Sequence, residues 1–448
     1  MNYNSESCEF TLNTTRICAT DAIDASIEVS KIGFANMKPN AVILINEKEV
    51  FDGIAATPLV HFPINAPLLF TDGNSLSKKT LHEIKRLSPK GYKGIHVILV
   101  GKISKKVICE LNYYGFRTNH ISGVDHYETA GMISKVRKKF KNILIMSGED
   151  YSEGIVSGYW SAHHGDPILF VKKNKIPSCT MEAIKKMNDI NIYIVGSTKT
   201  VSKEVEDYLC NLDNVKHLDR IDGENPYEIA VNFAKYKDHK TEFGWGRNYR
   251  EGHAFTFGEL KNPMNIIAGV LFAHMGKHTP SLIIKKDRTP EVVEKYIKSV
   301  KPMPPKDMPK PPFMHGFILG DTQDISHYAQ MMIEDNLSID HEMMGMEHDM
   351  GESLCMNNSD FMPMHQMHYP DHMMEMKHDM SESDCIKGSG CMSMHQMDHP
   401  YHMMDVDQEE DKNNYEMLHN YDDKINENHT VKHSGSSYII VSIDEILS

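Results

Sequence analysis

One set of apolar phrases is written three times in this chain, at a spacing of roughly 100 residues, and a repeat of that kind constrains the fold more than any composition does. APLLFTD at 66 returns as DPILFVK at 166 and TPSLIIK at 279. HVILVG, ending at Gly101, returns as IYIVG ending at Gly196 and GFILG ending at Gly320. AVILIN at 41 is echoed by NILIMS at 142. HISGVDHYETA at 120 is echoed by RIDGENPYEIA at 220, with a weaker first copy, TRICATDAIDAS, at 15.

The recurring runs are short, β-branched and apolar on both faces, which suits strands of a parallel sheet covered by helices. Helical patterns lie between them. SLSKKTLHEIKRL sets Leu76, Leu81, Ile84 and Leu87 near one face, and TPEVVEKYIKSV opens with Thr289 as expected N-cap and Pro290 at the first helical position. Each repeat reads strand–helix three times over. The expected fold is α/β: three tandem Rossmann-like parallel-sheet units, residues 13–119, 120–219 and 220–338. The third unit carries an inserted loop, 242–252, and a proline-rich tract, 301–312.

These residues carry a family resemblance. The order VILINEKEVFDGIAATPL, APLLFTDGNSLSKKTLHEIKRL, VILVGKISKKV is similar to the cell wall-binding repeat type 2 of Gram-positive, clostridial-type surface proteins, and the likeness covers roughly three quarters of the chain. It implies three units about a pseudo-threefold axis and non-covalent attachment to an anionic cell-wall polymer. Pro67-Leu68-Leu69, Pro167-Ile168-Leu169 and Pro280-Ser281-Leu282 resemble the family's Ile-Leu-Leu motif. Asp125-His126-Tyr127 and Asn225-Pro226-Tyr227 stand where the family has Asp-Arg-Tyr, so an arginine is replaced twice.

Candidate polymer contacts follow from the repeat. Gly101, Gly196 and Gly320 end strands and precede the helix N-caps Ser104, Ser202 and Ser326. Helix N-termini attract anions, and ligands of open α/β sheets sit beyond the carboxyl ends of strands. The loop FGWGRNYREG offers Trp245, Arg247 and Arg250 for sugar stacking and anion clamping. Arg16, His120 and Arg220 hold equivalent places; a shared structural role is the first expectation for them, and Arg220 is kept among the polymer candidates. No nucleotide fingerprint, nucleophile elbow or zinc-protease helix is present, so the expected role is non-catalytic.

Charge is unevenly spread. Of 62 acids, 22 lie between His341 and Ser448 against five lysines, leaving 40 acids against 43 bases in the first 340 residues. A near-neutral body excludes the basic stripe of a nucleic-acid binder. The first residues show no signal-peptide pattern and no run is long enough to cross a membrane, so the expected location is cytoplasmic, with the cell wall or spore surface implied by the resemblance. The eight cysteines form no CxxC pair and read as free thiols.

The acidic stretch 339–435 carries a repeat of its own: residues 341–370 and 371–400 share 16 of 30 positions, and 341–405 hold 17 of the 31 methionines. Without large aliphatics, such a segment is expected to be disordered. Its donors are soft: Cys355, Met362, Met364, His365, Met367 and His368 in one copy, Cys385, Cys391, Met392, Met394, His395 and Met397 in the next. Thioether, thiolate and imidazole suit Cu(I) or another soft metal, though no cofactor is required for folding. A cytosolic or spore-associated copper-buffering protein, using the repeat units as scaffold, is therefore the alternative to a polymer-binding protein. A sugar- or nucleotide-binding regulator is a third reading. A short apolar segment, 436–448, ends the chain.

Overall fold

The computed structural model describes residues 11–136, 140–250, 252–275, 278–302 and 314–339. The chain opens with β1 (Thr14–Ile17) and α1 (Ala22–Gly33). Next come β2 (Val42–Asn46), α2 (Val50–Ala56), a 3-10 turn (Thr57–Val60), β3 (Leu68–Thr71), α3 (Lys78–Leu87), β4 (Val97–Val100) and α4 (Lys105–Tyr113). The second passage runs β5 (Thr118–Ile121), α5 (His126–Val136), β6 (Asn142–Ser147), α6 (Ser157–His164), β7 (Ile168–Val171), α7 (Ser178–Lys185), β8 (Ile190–Val195) and α8 (Lys203–Cys210). The third runs β9 (Val215–Ile221), α9 (Pro226–Lys235), β10 (His253–Glu259), α10 (Pro263–Ala268), α11 (Leu271–His274), β11 (Ser281–Ile284), α12 (Glu291–Ser299), β12 (Met314–Leu319) and α13 (His327–Leu337).

Among the described residues twelve strands make three four-stranded sheets, ordered β3-β2-β4-β5, β7-β6-β8-β9 and β11-β10-β12-β1, and every strand pairing in them is parallel. The central strands are apolar on both faces because both are covered: Val42, Ile43, Leu44 and Ile45 are buried, as are Val97, Leu99 and Val100. The edge strands β5 and β9 alternate or expose polar residues, as an edge that faces water requires. The α/β reading with three parallel-sheet units thus holds.

The sheets are offset by one strand from the sequence repeats. The strand that opens each repeat pairs with the sheet of the repeat before it: β5 with β4, β9 with β8, and β1 with β12, where Thr14 faces Gly316 and Ile17 faces Leu319. The helix that follows crosses to the next sheet, α5 packing on β7 and α9 on β11. The chain therefore closes on itself, its first strand completing its last sheet. The units also meet through helices: α6 packs on the 3-10 turn and on α11, and α10 packs on α1 and α2.

Capping follows the sequence with one displacement. Ser77 caps α3, accepting from the Thr80 amide at 3.0 Å, and Leu81, Ile84 and Leu87 are buried behind it. In α12 the N-cap is Pro290 rather than Thr289. Pro290 is itself extended at the cap, and Thr289 is buried one residue outside. Among the described residues Cys109, Cys179 and Cys210 are free thiols.

Candidate functional site

At the carboxyl end of each sheet the strand order reverses, and each reversal holds a carboxyl group beneath the glycine that ends the third strand. Gly101 sits so close over Asp52 that a Cβ there would meet Oδ2 at 1.9 Å, and Gly320 sits over Asp324 in the same manner at 2.6 Å. Both glycines also have positive φ. Glu153 takes the place in the second unit, accepting from the Ser197 amide at 2.8 Å and from the Ser197 and Thr200 hydroxyls. Asp324 accepts from the Asn262 and Asn265 amides at 2.9 and 3.0 Å. Asp52 is pushed up to about 6, first by burial and then by the nearby Glu49.

Ser104, Ser202 and Ser326 are the N-caps of α4, α8 and α13. Their backbone N–H groups donate to the carbonyls of Gly73, Lys173 and Lys286 at 2.8, 2.9 and 2.8 Å. Each bond ties the turn after the second strand against the start of the helix after the third. The residues presented at these helix starts are thus those of the turn.

In two units the turn is basic. Lys172-Lys173-Asn174-Lys175 follows β7 and Lys285-Lys286-Asp287-Arg288 follows β11, each closed by a bridge, Lys172 to Lys175 and Lys285 to Arg288. The Lys172 ammonium lies 5.9 Å from the centroid of the Tyr127 ring, and that of Lys285 lies 5.5 Å from the Tyr227 ring. A cation over an aromatic face gains modestly from the ring quadrupole and is held in one place. Among the described residues, Lys172, Lys173, Lys175, Lys285, Lys286 and Arg288 form no salt bridge. The first unit lacks both halves of the pair: Asp72 stands in the turn, accepting from Asn74 and Ser75, and Ile23 stands where the tyrosine would be. The Ser75 hydroxyl and amide hold the Asp72 carboxyl below its usual range.

The other sequence candidates are placed elsewhere. Arg220 donates to Glu206 at 2.7 Å and to the Gly196 carbonyl at 2.8 Å. Arg16 reaches the Gly320 carbonyl at 3.0 Å, and His120 Nε2 lies 2.8 Å from the Gly101 carbonyl. Three equivalent side chains thus close three equivalent carbonyls, and the Arg220 guanidinium is engaged within the sheet that its strand β9 completes. Trp245 is buried, its ring stacked on His163 at 5.1 Å. Arg247 donates to the His278 carbonyl at 3.2 Å, and Arg250 is exposed. The serines and the loop residues are not brought into one site.

The basic turns were missed in the sequence although VKKNK and IKKDR follow the same repeated strand, which is the signal that marks them. All the soft-metal candidates, from Cys355 to Met397, lie outside the described residues. Among the described residues no His, Cys, Asp and Glu side chains group to hold a metal ion, and no helix is long and apolar enough to cross a membrane.

Residues 120–206, from β5 into α8, match the family model of Cell wall binding domain 2 (CWB2). The amidase enhancer of Bacillus subtilis is 26% identical over 303 residues, 66% of this chain and 37% of that protein. The N-acetylmuramoyl-L-alanine amidase LytC of Bacillus subtilis is 27% identical over 223 residues, 49% of this chain and 42% of that protein. Among solved structures, Cwp6 from Clostridium difficile aligns over 75% of this chain and 50% of its own with a TM-score of 0.60 at 19% identity. Cwp8 from the same organism aligns over 75% and 52% with a TM-score of 0.57 at 22% identity. The structural likeness is one of fold, and the chain spans about half or less of each of these proteins.

Proposed function

We propose that the chain is a non-catalytic, wall-associated protein that recognises an anionic glycopolymer through the basic turns of its second and third units. The observation that carries this reading is the lysine–tyrosine pair, repeated in two units and lost on both sides together in the first. Exposed cations beyond the carboxyl ends of parallel strands, set against helix starts, offer charge and backbone dipole to one anionic group. Two such turns on one closed chain give a polymer two points of attachment, and the second engagement then gains from the first. The match to a cell wall binding domain and the likeness to an amidase and an amidase enhancer support the wall as the place where that polymer is met.

The test is cosedimentation of the full chain with purified Gram-positive walls, before and after chemical removal of their anionic polymer, beside the variant K172A/K173A/K285A/K286A. Binding that survives removal of the polymer, or that the variant keeps in full, overturns the reading. Copper buffering remains the second reading, favoured by the duplicated Met/His phrase beyond residue 340.

A further inference from the structure

A group of five histidines lies where the three units meet, away from the basic turns. The 3-10 turn ends at His61, α6 ends in His163 and His164, and α11 ends in His274, with His278 just beyond. These are equivalent places, each shortly before the proline that leads into the second strand, at Pro67, Pro167 and Pro280. The rings touch across unit boundaries: His61 to His274 at 5.2 Å between centroids and His163 to His278 at 4.7 Å, with His164 against His163 at 4.6 Å. Trp245 stacks on His163, Trp160 stacks on His164 at 4.0 Å, and Phe62 covers His274 at 5.1 Å. Among the described residues, charged and polar groups at this junction include Arg247, which donates to the His278 carbonyl, Asp166, which accepts from Trp160 Nε1 at 2.9 Å, and Asn65, whose Oδ1 lies 3.0 Å from His274 Nε2.

Three kinds of species suit imidazoles, and the surroundings select one. An anion is disfavoured because the helical segments turn their carboxyl ends, the negative ends of their dipoles, toward the cluster. A metal ion is disfavoured by the Arg247 charge, and among the described residues no three donors are grouped to hold one. The proton remains. Burial holds His163 well below the ordinary imidazole range, followed by the proximity of His164, His278, His61 and Arg247. Burial also lowers His278, against a smaller opposing pull from the Ala273 carbonyl.

We propose that this junction is a proton-operated latch, in which neutral imidazoles let the three units close on one another and protonation drives them apart. Each imidazolium formed here adds a like charge between units, under two tryptophan rings that keep water away. The folded-state values of His163 and His278 are depressed, so below the ordinary imidazole value the opened chain binds more protons than the closed one. The closed form is fully stable above that value and loses stability as the pH falls beneath it.

Native-state hydrogen exchange on the full chain, corrected for intrinsic rates, tests this between pH 7.5 and 5.0. The opening constant of the carboxyl end of α6 is expected to rise about tenfold per pH unit below about 6.5 for each proton taken up. In the variant H163F/H278N the slope is expected to flatten while the opening constant at pH 7.5 stays close to wild type. Equal slopes in wild type and variant, or no slope in wild type, overturn the proposal. Should the variant fail to fold, the ring resonances of wild-type His163 decide alone: titration in the ordinary imidazole range overturns the latch, and a ring still neutral at pH 6 supports it.

Discussion

The Lys285 ammonium stands 5.5 Å from the centroid of the Tyr227 ring, which belongs to α9, the helix that follows the edge strand β9 of the preceding sheet and packs on β11. The pairing therefore exists only because the helix after each edge strand crosses to the next sheet. Replacing Tyr127 and Tyr227 by leucine should leave the lysines in place but less fixed. Wall affinity is expected to fall by about fivefold to thirtyfold at low salt, from the loss of roughly 0.5–1 kcal/mol at each of the two pairs. Cosedimentation isotherms at two ionic strengths measure it, and an unchanged affinity would show that the rings only pack.

The first unit offers the reverse experiment. Converting its turn with D72K and its helix with I23Y restores both halves of the pair in a unit that has neither. An added anionic contact should raise affinity by about tenfold and steepen its salt dependence. The same isotherms report it, and no change would mean that the first unit does not face the polymer.

Arg220 separates structure from recognition. Its guanidinium is paired with Glu206 at 2.6 Å, with the two side chains 9% and 14% exposed. Arg220→Ala leaves Glu206 without that partner, and the expected loss is about 3 kcal/mol in urea unfolding. Wall binding by the fraction that remains folded should be unaltered. Arg220→His should recover part of the stability, because His120 reaches the equivalent carbonyl in the first unit.

Asp52 gives a pH signature opposite in sign to that of the histidines. Its carboxyl lies at about 6 when folded against 3.8 ordinarily, so the folded chain binds the extra proton between those values. Its contribution to stability grows as the pH falls through about 6 and is complete below 3.8, amounting to roughly 3 kcal/mol. In Asp52→Asn this component should vanish, leaving a stability profile that falls more steeply in acid than wild type does. Urea midpoints from pH 7.5 to 4.0 check the prediction.

The soft-metal reading is decided by anaerobic Cu(I) titration of the full chain against a variant with Met362, Met364, Met367, Met392, Met394 and Met397 changed to leucine. If these thioethers are the donors, the variant should lose most of the tight sites. Equal stoichiometry in the two proteins would remove copper from the account.

Much of this fold could be read in advance because its signal is local. VILIN, PILF and SLII are apolar on both faces wherever they occur, and a run of that kind has few places to go except the middle of a covered parallel sheet. Ser104, Ser202 and Ser326 cap helices as their spacing indicates. What could not be read is which neighbour a segment joins. TTRI at 14 looks like the start of the first unit and lies instead in the last sheet, since an edge strand carries no mark of its partner. Trp245 could be singled out, but its contact with His163 brings together residues of two repeats, and no spacing rule links them. The lysine turns are marked in the sequence by VKKNK and IKKDR after the same repeated strand, but the tyrosine beneath each is not, because it lies on a helix some 45 to 58 residues earlier in the chain.

Arg16 on β1 hydrogen-bonds the Gly320 carbonyl across 304 residues of sequence, and β12 is the partner of its strand. During synthesis the first strand is made early and has no sheet to enter until almost the whole repeat region has followed it. Contacts so distant in sequence make for slow folding. The nascent chain carries this β-prone segment without its partner strand until Met314–Leu319 has been made. A cut or a fusion near residue 14 would thus be felt first in the unit at the other end.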